Sequence, residues 1–569
     1  MPAKTTNTPT NGRKPASINS WSYRPGLTRS KWLANTIMTL MVWALGYCSY
    51  SHSSDNRLMF QQIEPFLNTA DIPTISADSA SSEITITAAG NEYEPARVLL
   101  EASTDFGVTT ASISALSNPN GDSLPNNAIE LRNVLRWTQL IPHAYKIKDG
   151  PRTHVVDELL VFDSTQQLSG TWKDRRYLPP TANTEFKTVV KSGAAQQLWL
   201  TVYIGDNQPA GIYKGTVTLQ GEKQSAQIPL QVEVLPYTLP EPDKTFGIFF
   251  RGSLANNKRH LSKEALQQQF LDIKQHGFNS LVINEYDPET VADFISAIAQ
   301  AGITGPIVLN YPEDVVHDTQ LMEEIYQLLD QAGLKQRYIY GVDEPNTEER
   351  MEMQRTFSRD APENALIFTS LRTDTDDTLT SQGINLDWGN FNIRSGLESL
   401  QKKANLPSRT TTYYWQSYLE DAPRNRYYTG AFLLKTGLDG VFPYVYQAFH
   451  DIDPYVNDER DLRGRKIRAS RRYKAFNSNY PTTGSPIPTI QWESAREGID
   501  DYRYIQRLLN NLRVDESSQP RTRTQELQGI LKKIEYRESR PFAIDQNFDA
   551  SRLTDLRTWA ISNLQELSK

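Results

Sequence analysis

The strongest constraint on the fold is a unit repeated three times in the middle of the chain: helix, glycine, strand. Leu266, Phe270 and Ile273 recur at i, i+4 and i+7 behind Ser262, a residue suited to cap a helix. That helix stops at Gln275-His-Gly277, and residues 278–284 read as a strand. A second helix carries Val291, Phe294 and Ile298, stops at Gly302 and leads into a strand over 306–310. A third carries Leu321, Ile325 and Leu328, stops at Gly333 and leads into a strand over 337–342. Each glycine falls where helices end in the left-handed conformation. Helices alternating with strands call for a parallel sheet. Residues 247–250, 365–369, 409–415 and 440–446 read as further strands, near the number a (β/α)₈ barrel needs. A doubly wound open sheet is the alternative, although no Gly-x-Gly-x-x-Gly or Walker sequence supports a nucleotide there.

Upstream the period changes to two. In Gln227-Ile-Pro-Leu-Gln-Val-Glu-Val234 the residues Ile228, Leu230, Val232 and Val234 share one face. Residues 83–87, 96–100, 198–203 and 211–219 read the same way, so residues 75–240 are expected to form an antiparallel β-sandwich. Leu239-Pro-Glu-Pro-Asp243 marks the boundary to a barrel over 241–514, and 515–569 read as a helical cap.

Residues 1–31 hold six Lys and Arg and no acidic residue, in a Thr-, Asn-, Pro- and Ser-rich context that cannot bury a core. Residues 32–50 are uncharged. As a helix they span about 28 Å, close to the thickness of a bilayer. The basic flank is expected to stay in the cytoplasm, which puts the body outside, tethered through 32–50 and a linker over 51–74. Ala44-x-Gly46 and Ser49-x-Ser51 offer cleavage sites, in which case the protein is secreted. The rest of the composition excludes classes. With 60 basic and 67 acidic residues the net charge is −7, which argues against a nucleic-acid partner. One cysteine excludes an internal disulfide framework and a cysteine-based zinc site, and the seven histidines form no His-Glu-x-x-His. No metal or cofactor is expected.

In a parallel barrel the working residues sit at the C-terminal ends of strands. The strand over 337–342 ends in Asp343-Glu344-Pro345. Repulsion between adjacent carboxylates favours a proton on one of them, which can then serve as an acid. Glycosidases with two independent carboxylates set them on opposite faces of the sugar. Consecutive residues on extended backbone diverge and cannot readily close on one atom from two directions. An adjacent pair suits a reaction whose nucleophile belongs to the substrate, and a 2-acetamido group can be that nucleophile. The bland alternative is a solvated pair of loop carboxylates.

Five stretches carry a resemblance. They are Asn91-Glu-Tyr-Glu-Pro-Ala96, Pro209-Ala-Gly-Ile-Tyr-Lys-Gly-Thr-Val217, Gln231-Val-Glu-Val-Leu-Pro236, Tyr340-Gly-Val-Asp-Glu-Pro345 and residues 491–504. Over roughly residues 75–515 the chain resembles glycoside hydrolase family 123 and the related domain of unknown function 4091. The resemblance implies a β-sandwich ahead of a (β/α)₈ barrel, and a retaining β-N-acetylgalactosaminidase assisted by the substrate's acetamide. It implies Glu344 as acid/base, and Asp343 as the group that orients the acetamide and stabilises the oxazolinium.

Sugar sites also need flat apolar faces and polar groups at the hydroxyls. Trp388, Tyr413, Tyr414, Trp415 and Tyr444 lie near expected strand ends, as do Asn284 and Glu285, and all are candidates for substrate binding. Each has a core, rim or helix-capping role as its alternative. Arg496, Glu497, Asp500 and Asp501 read as ion pairs that lock the terminal helix. The function expected is cleavage of β-linked N-acetylhexosamine from a glycan. A glycosidase for another sugar and a non-catalytic surface carbohydrate-binding protein remain as alternatives.

Overall fold

The computed structural model describes residues 58–140, 153–173, 176–255, 260–362, 365–371, 386–393, 407–415, 421–449, 453–456, 477–514, 519–537, 545 and 547–568. The basic tail over 1–31 and the apolar segment over 32–50 lie outside them. No helix among the described residues is long and apolar enough to cross a membrane.

Strands β1 (Leu58–Ile63), β2 (Ile84–Gly90), β3 (Glu92–Ala102), β4 (Gly107–Ile113), β5 (Ile129–Leu140) and β6 (Thr153–Val161) open the first domain. After a small hairpin, β7 (Thr171–Lys173) with β8 (Arg176–Leu178), come β9 (Lys187–Val190), β10 (Gln196–Ile204), β11 (Gly211–Gln220) and β12 (Ser225–Thr238). They form two five-stranded sheets, ordered β1-β3-β10-β5-β6 and β2-β12-β11-β4-β9. The alternation in β12 is realised: Ile228, Leu230, Val232 and Val234 are buried between the sheets. Each such side chain contributes roughly 1.5–3 kcal/mol. Beyond Val234 the register shifts, and Leu235, Tyr237 and Leu239 turn into the core around the barrel. One strand thus serves both cores.

Two expectations need correction. Residues 58–63, read as linker, form β1 along the edge of β3. Their buried residues, Phe60 and Ile63, are three apart, so the strand period is hidden in the sequence. The sandwich is also not wholly antiparallel, because β2 and β12 run parallel. Each is followed directly by a chain crossing at the same end, β2 into β3 and β12 into the barrel.

The second domain is a closed barrel of eight parallel strands. They are β13 (Thr245–Phe249), β14 (Ser280–Ile283), β15 (Ile307–Leu309), β16 (Arg337–Tyr340), β17 (Ile367–Leu371), β18 (Trp388–Asn392), β19 (Arg409–Trp415) and β20 (Gly440–Tyr444). The three longer helices between β13 and β16 are those read from the sequence, and a four-residue helix, Glu313–Val316, precedes the third of them. Ser262 caps the first by accepting from the Ala265 N–H at 3.1 Å. Gly277, Gly302 and Gly333 follow the three helices with φ of +79°, +76° and +78°, where a side chain would be strained. The third helix is turned slightly from expectation: Met322, Ile325 and Leu329 are its buried stripe. Leu321 and Leu328 lie half-buried beside it. Every barrel strand sends at least one apolar side chain inward, among them Phe249, Val282, Val308, Tyr340, Phe368, Trp388, Tyr413 and Phe442, and these fill the interior.

Helices Ile490–Val514, Gln519–Lys533 and Ser551–Leu567 close the domain. Glu497 and Asp501 bind Arg557 of the last helix, as the sequence suggested, and Asp501 also takes Arg426 at 2.7 Å. Arg557 continues to Glu94 (2.9 Å) and Glu92 (3.8 Å) of β3. Asp500 pairs with Arg503 at 2.6 Å, and Arg503 donates to the Asn91 carbonyl at 2.7 Å. Arg496 pairs with Glu493 on its own helix and does not reach the terminal helix. Two stretches some 400 residues apart in sequence are therefore the two halves of one buried ion cluster joining sandwich, barrel and cap.

Candidate active site

Strand β16 ends at Tyr340, and the chain then turns through Gly341 to Pro345 at the C-terminal end of the barrel. Three backbone donors pin the turn. The Gly341 N–H donates to the Phe368 carbonyl (2.8 Å) and the Glu344 N–H to the Ser370 carbonyl (2.9 Å). The Val342 N–H donates to Oε1 of the buried Gln354 at 2.7 Å. A Cβ at position 341 would sit 2.5 Å from that Gln354 oxygen, so glycine lets the helix side chain reach the turn. Arg350 holds the Asp343 carbonyl from the same helix. Glu344 has φ of +44°, a conformation that non-glycine residues adopt at a cost of about 1 kcal/mol or more and that clusters at functional sites.

Each carboxylate receives its own phenol. The Tyr340 hydroxyl donates to Asp343 Oδ1 at 2.7 Å and lies 2.6 Å from Ser370 Oγ. A phenol has one proton, so with Asp343 accepting it the Ser370 hydroxyl supplies the second bond. The Tyr413 hydroxyl donates to Glu344 Oε1 from β19, three strands further round the barrel. Burial, followed by the charge of Asp343, pushes the Tyr340 phenol well above its ordinary range. Burial and then Glu344 do the same to Tyr413. Both phenols therefore remain protonated donors. Asp343 is exposed and Glu344 half-buried, so both carboxylates are open to a substrate.

Among the other candidates, Trp415 and Tyr444 face one another across the β19–β20 pair, rings 6.2 Å apart and both partly exposed at the mouth. Asn284 also reaches the mouth, where its Oδ1 accepts from Arg251 at 3.1 Å. The Arg251 guanidinium lies 5.8 Å from the Tyr444 ring. Three candidates are corrected. Trp388 is fully buried at the start of β18, the end of the barrel away from the mouth, and donates to Thr411 Oγ1 at 2.8 Å. Tyr414 points outward between strand and helix, where its hydroxyl donates to Asn425 at 3.0 Å. Residues 413–415 alternate across the strand, so only Tyr413 and Trp415 can face inward. Glu285 is buried and accepts from Ser253 (2.7 Å), the Leu254 N–H (2.8 Å) and Thr290 (3.0 Å), which fixes the loop after β13.

Sequence reasoning missed Tyr340, Ser370, Gln354 and Arg251 as site residues. Tyr340 was visible in the Tyr-Gly-Val-Asp-Glu-Pro run, and Ser370 and Arg251 lie at strand ends. Gln354 lies within a helix and carries no such signal. Among the described residues no cluster of His, Cys, Asp and Glu is suited to hold a metal ion.

No family model matches the chain, and no curated protein matches it. Among solved structures, the fold is similar to that of a family 123 glycoside hydrolase from Clostridium perfringens studied for glycolipid glycan hydrolysis. The identity is 11%, the match covers 90% of this chain and 98% of that one, and the TM-score is 0.61. The likeness spans both sandwich and barrel and establishes the shared fold. A putative β-galactosidase from Bacteroides fragilis (11% identity, 69% and 55% of the two chains, TM-score 0.25) superimposes too poorly to carry argument. So does a β-glucuronidase from Parabacteroides merdae (8% identity, 73% and 52%, TM-score 0.27).

Proposed function

We propose that the chain is a retaining glycoside hydrolase that cleaves β-linked N-acetylhexosamine, foremost N-acetylgalactosamine, with the substrate's acetamido oxygen as nucleophile. The observation that carries this reading is the vicinal Asp343–Glu344 pair at the end of β16, each carboxylate bonded by a separate obligate phenol donor. Protonated Glu344 gives its proton to the glycosidic oxygen as the C1–O bond breaks. The acetamido oxygen attacks C1 from the opposite face and forms a bicyclic oxazolinium. Asp343 accepts the acetamide N–H and offsets the positive charge. Tyr413 stabilises the Glu344 carboxylate left behind, and Tyr340 with Ser370 keeps Asp343 aimed. Glu344 then takes a proton from water, which opens the oxazolinium at C1 and restores the β configuration. Trp415 and Tyr444 offer flat faces for the sugar. The fold shared with a glycolipid-glycan hydrolase supports the same class.

The basic tail and apolar run over 1–50 support a body held outside the cytoplasm, anchored or secreted. A reporter fused after Lys569 tests this. It should be active only on the extracytoplasmic side, and a full-length cytosolic protein would refute export. Aryl β-N-acetylgalactosaminide and β-N-acetylglucosaminide, hydrolysed side by side, test the activity. Release from at least one is expected, with the first product a β-anomer. Release from neither, or an α-anomer, refutes the reading.

A further inference from the structure

A cleft runs between the outer face of the first sandwich sheet and the barrel. It comprises two adjoining cavities, of about 290 Å³ and about 180 Å³, which share Tyr93, Tyr203, Gln275 and Arg496. Its barrel wall is the C-terminal turn of the helix Lys263–Gln275 and the segment before β13. Those residues lie at the N-terminal ends of the barrel strands, the end opposite Asp343 and Glu344. The cleft is therefore separate from the candidate active site.

Tyr93 and Tyr203 are direct cross-strand partners on β3 and β10, and their rings stack 4.4 Å apart at 28°. Arg496 lies 5.1 Å over Tyr93, and Gln275 hydrogen-bonds its hydroxyl, so Tyr93 is held in place. Tyr203 is 36% exposed and is the ring that a ligand can reach. Most charged groups around it are already paired, and exposed Asp206 adds a negative charge beside the ring. Arg132 meets Glu130, Lys274 meets Glu241 (2.8 Å), Arg503 meets Asp500 (2.6 Å) and Arg496 meets Glu493. An anionic ligand would have to break one of these pairs. A neutral ligand rich in hydroxyls would not, and could bond to the acceptors left over. One is Asp500 Oδ2, which is buried and has no partner among the described residues.

A flat tyrosine face beside charge-balanced polar walls is the chemistry that recognises a sugar ring: apolar C–H face on the aromatic, hydroxyls on the rim. We propose that this cleft is a second, non-catalytic site for a neutral saccharide. It gives the sandwich a role in holding a glycan that the barrel does not require for hydrolysis.

The test uses the full chain carrying Glu344→Gln, with the methyl β-glycosides of galactose, glucose and N-acetylglucosamine as probes in ligand-observed NMR titrations. At least one should bind at millimolar concentration. Tyr203→Ala should weaken that binding about tenfold, whereas Tyr203→Phe, which keeps the ring, should retain it. Asn127→Trp, at an exposed rim position, should block the cleft without removing any packing, and it decides alone if Tyr203→Ala fails to fold. With Glu344 intact, Tyr203→Ala and Asn127→Trp should hydrolyse a small aryl glycoside as the parent does, so this site and the catalytic reading fail separately. Absence of binding by all three probes, or binding unchanged in both Tyr203→Ala and Asn127→Trp, overturns the proposal.

Discussion

The ion cluster behind the barrel should make the protein gain stability on mild acidification, and Glu497→Gln should remove part of that gain. Burial raises Glu497 and Glu92 from the ordinary 4.5 to about 7, against the pull of Arg557 and, for Glu497, Arg426. Glu94, Asp500, Asp501 and Tyr504 face the same groups from β3 and the helix Ile490–Val514. Between pH 4.5 and 7 the folded chain holds protons that the unfolded chain has released, so stability is full below this window and falls as pH rises through it. At about 1.4 kcal/mol per tenfold change in proton activity, one such group costs up to roughly 3 kcal/mol above pH 7. Glu493, held at about 2 chiefly by Arg496 against its burial, acts only below the ordinary carboxylate range and leaves this window alone. Urea unfolding followed by tryptophan fluorescence should show midpoints falling from pH 5 to pH 8. Glu497→Gln should match the parent near pH 5 and exceed it at pH 8, with a shallower slope. A parent midpoint that rises over this range, or a variant with the parent's slope, refutes the reasoning.

Glu344→Gln should lower kcat by about 10²–10⁴, the span of general acid catalysis, and the loss should shrink on aryl substrates with strongly acidic leaving groups. Equal loss on all leaving groups would mean Glu344 only binds or supports. Tyr413→Phe removes a hydrogen bond to a charged group, and about 1.5–3 kcal/mol corresponds to a fall in kcat of roughly 10- to 150-fold, with KM and thermal midpoint little changed. A drop in KM affinity alone would assign Tyr413 to substrate binding. Arg557→Met leaves several carboxylates without their shared cation and should cost about 3–5 kcal/mol at pH 8, read by the same urea titration, and less near pH 5. An equal cost at both values would locate the effect in packing.

The barrel was legible where helices end in glycine, because a left-handed cap is written in a single residue. Gly277, Gly302 and Gly333 all mark true boundaries. Past β16 that punctuation thins: Gly437, at φ +67°, ends the helix before β20, but among the described residues no left-handed glycine precedes β17, β18 or β19. The strand left unread was β18, and its first residue, Trp388, was taken for a residue at the far end of a strand. One omission therefore produced both the missing eighth strand and the misassigned tryptophan. Tyr414 and Glu285 were misread for a related reason: nearness to a strand end does not tell which side of the strand a residue faces. The Asp343–Glu344 pair stood out as a candidate because two ionisable residues precede a proline just after a strand, although the strand itself stops at Tyr340 and the pair lies in the turn beyond it. Their phenol donors were harder to see, since Tyr413 reaches Glu344 only through closure of the barrel.

The central claim is that the substrate supplies the nucleophile, and the most direct measurement compares two aryl β-glycosides that differ only at C2. With the acetamide, hydrolysis should be efficient and should be blocked by a thiazoline that mimics the bicyclic intermediate. With a hydroxyl in its place, turnover should nearly vanish, because in the proposed mechanism the acetamido oxygen is the nucleophile. Cleavage of the 2-hydroxy glycoside as fast as the 2-acetamido glycoside would contradict both the mechanism and the proposed substrate class.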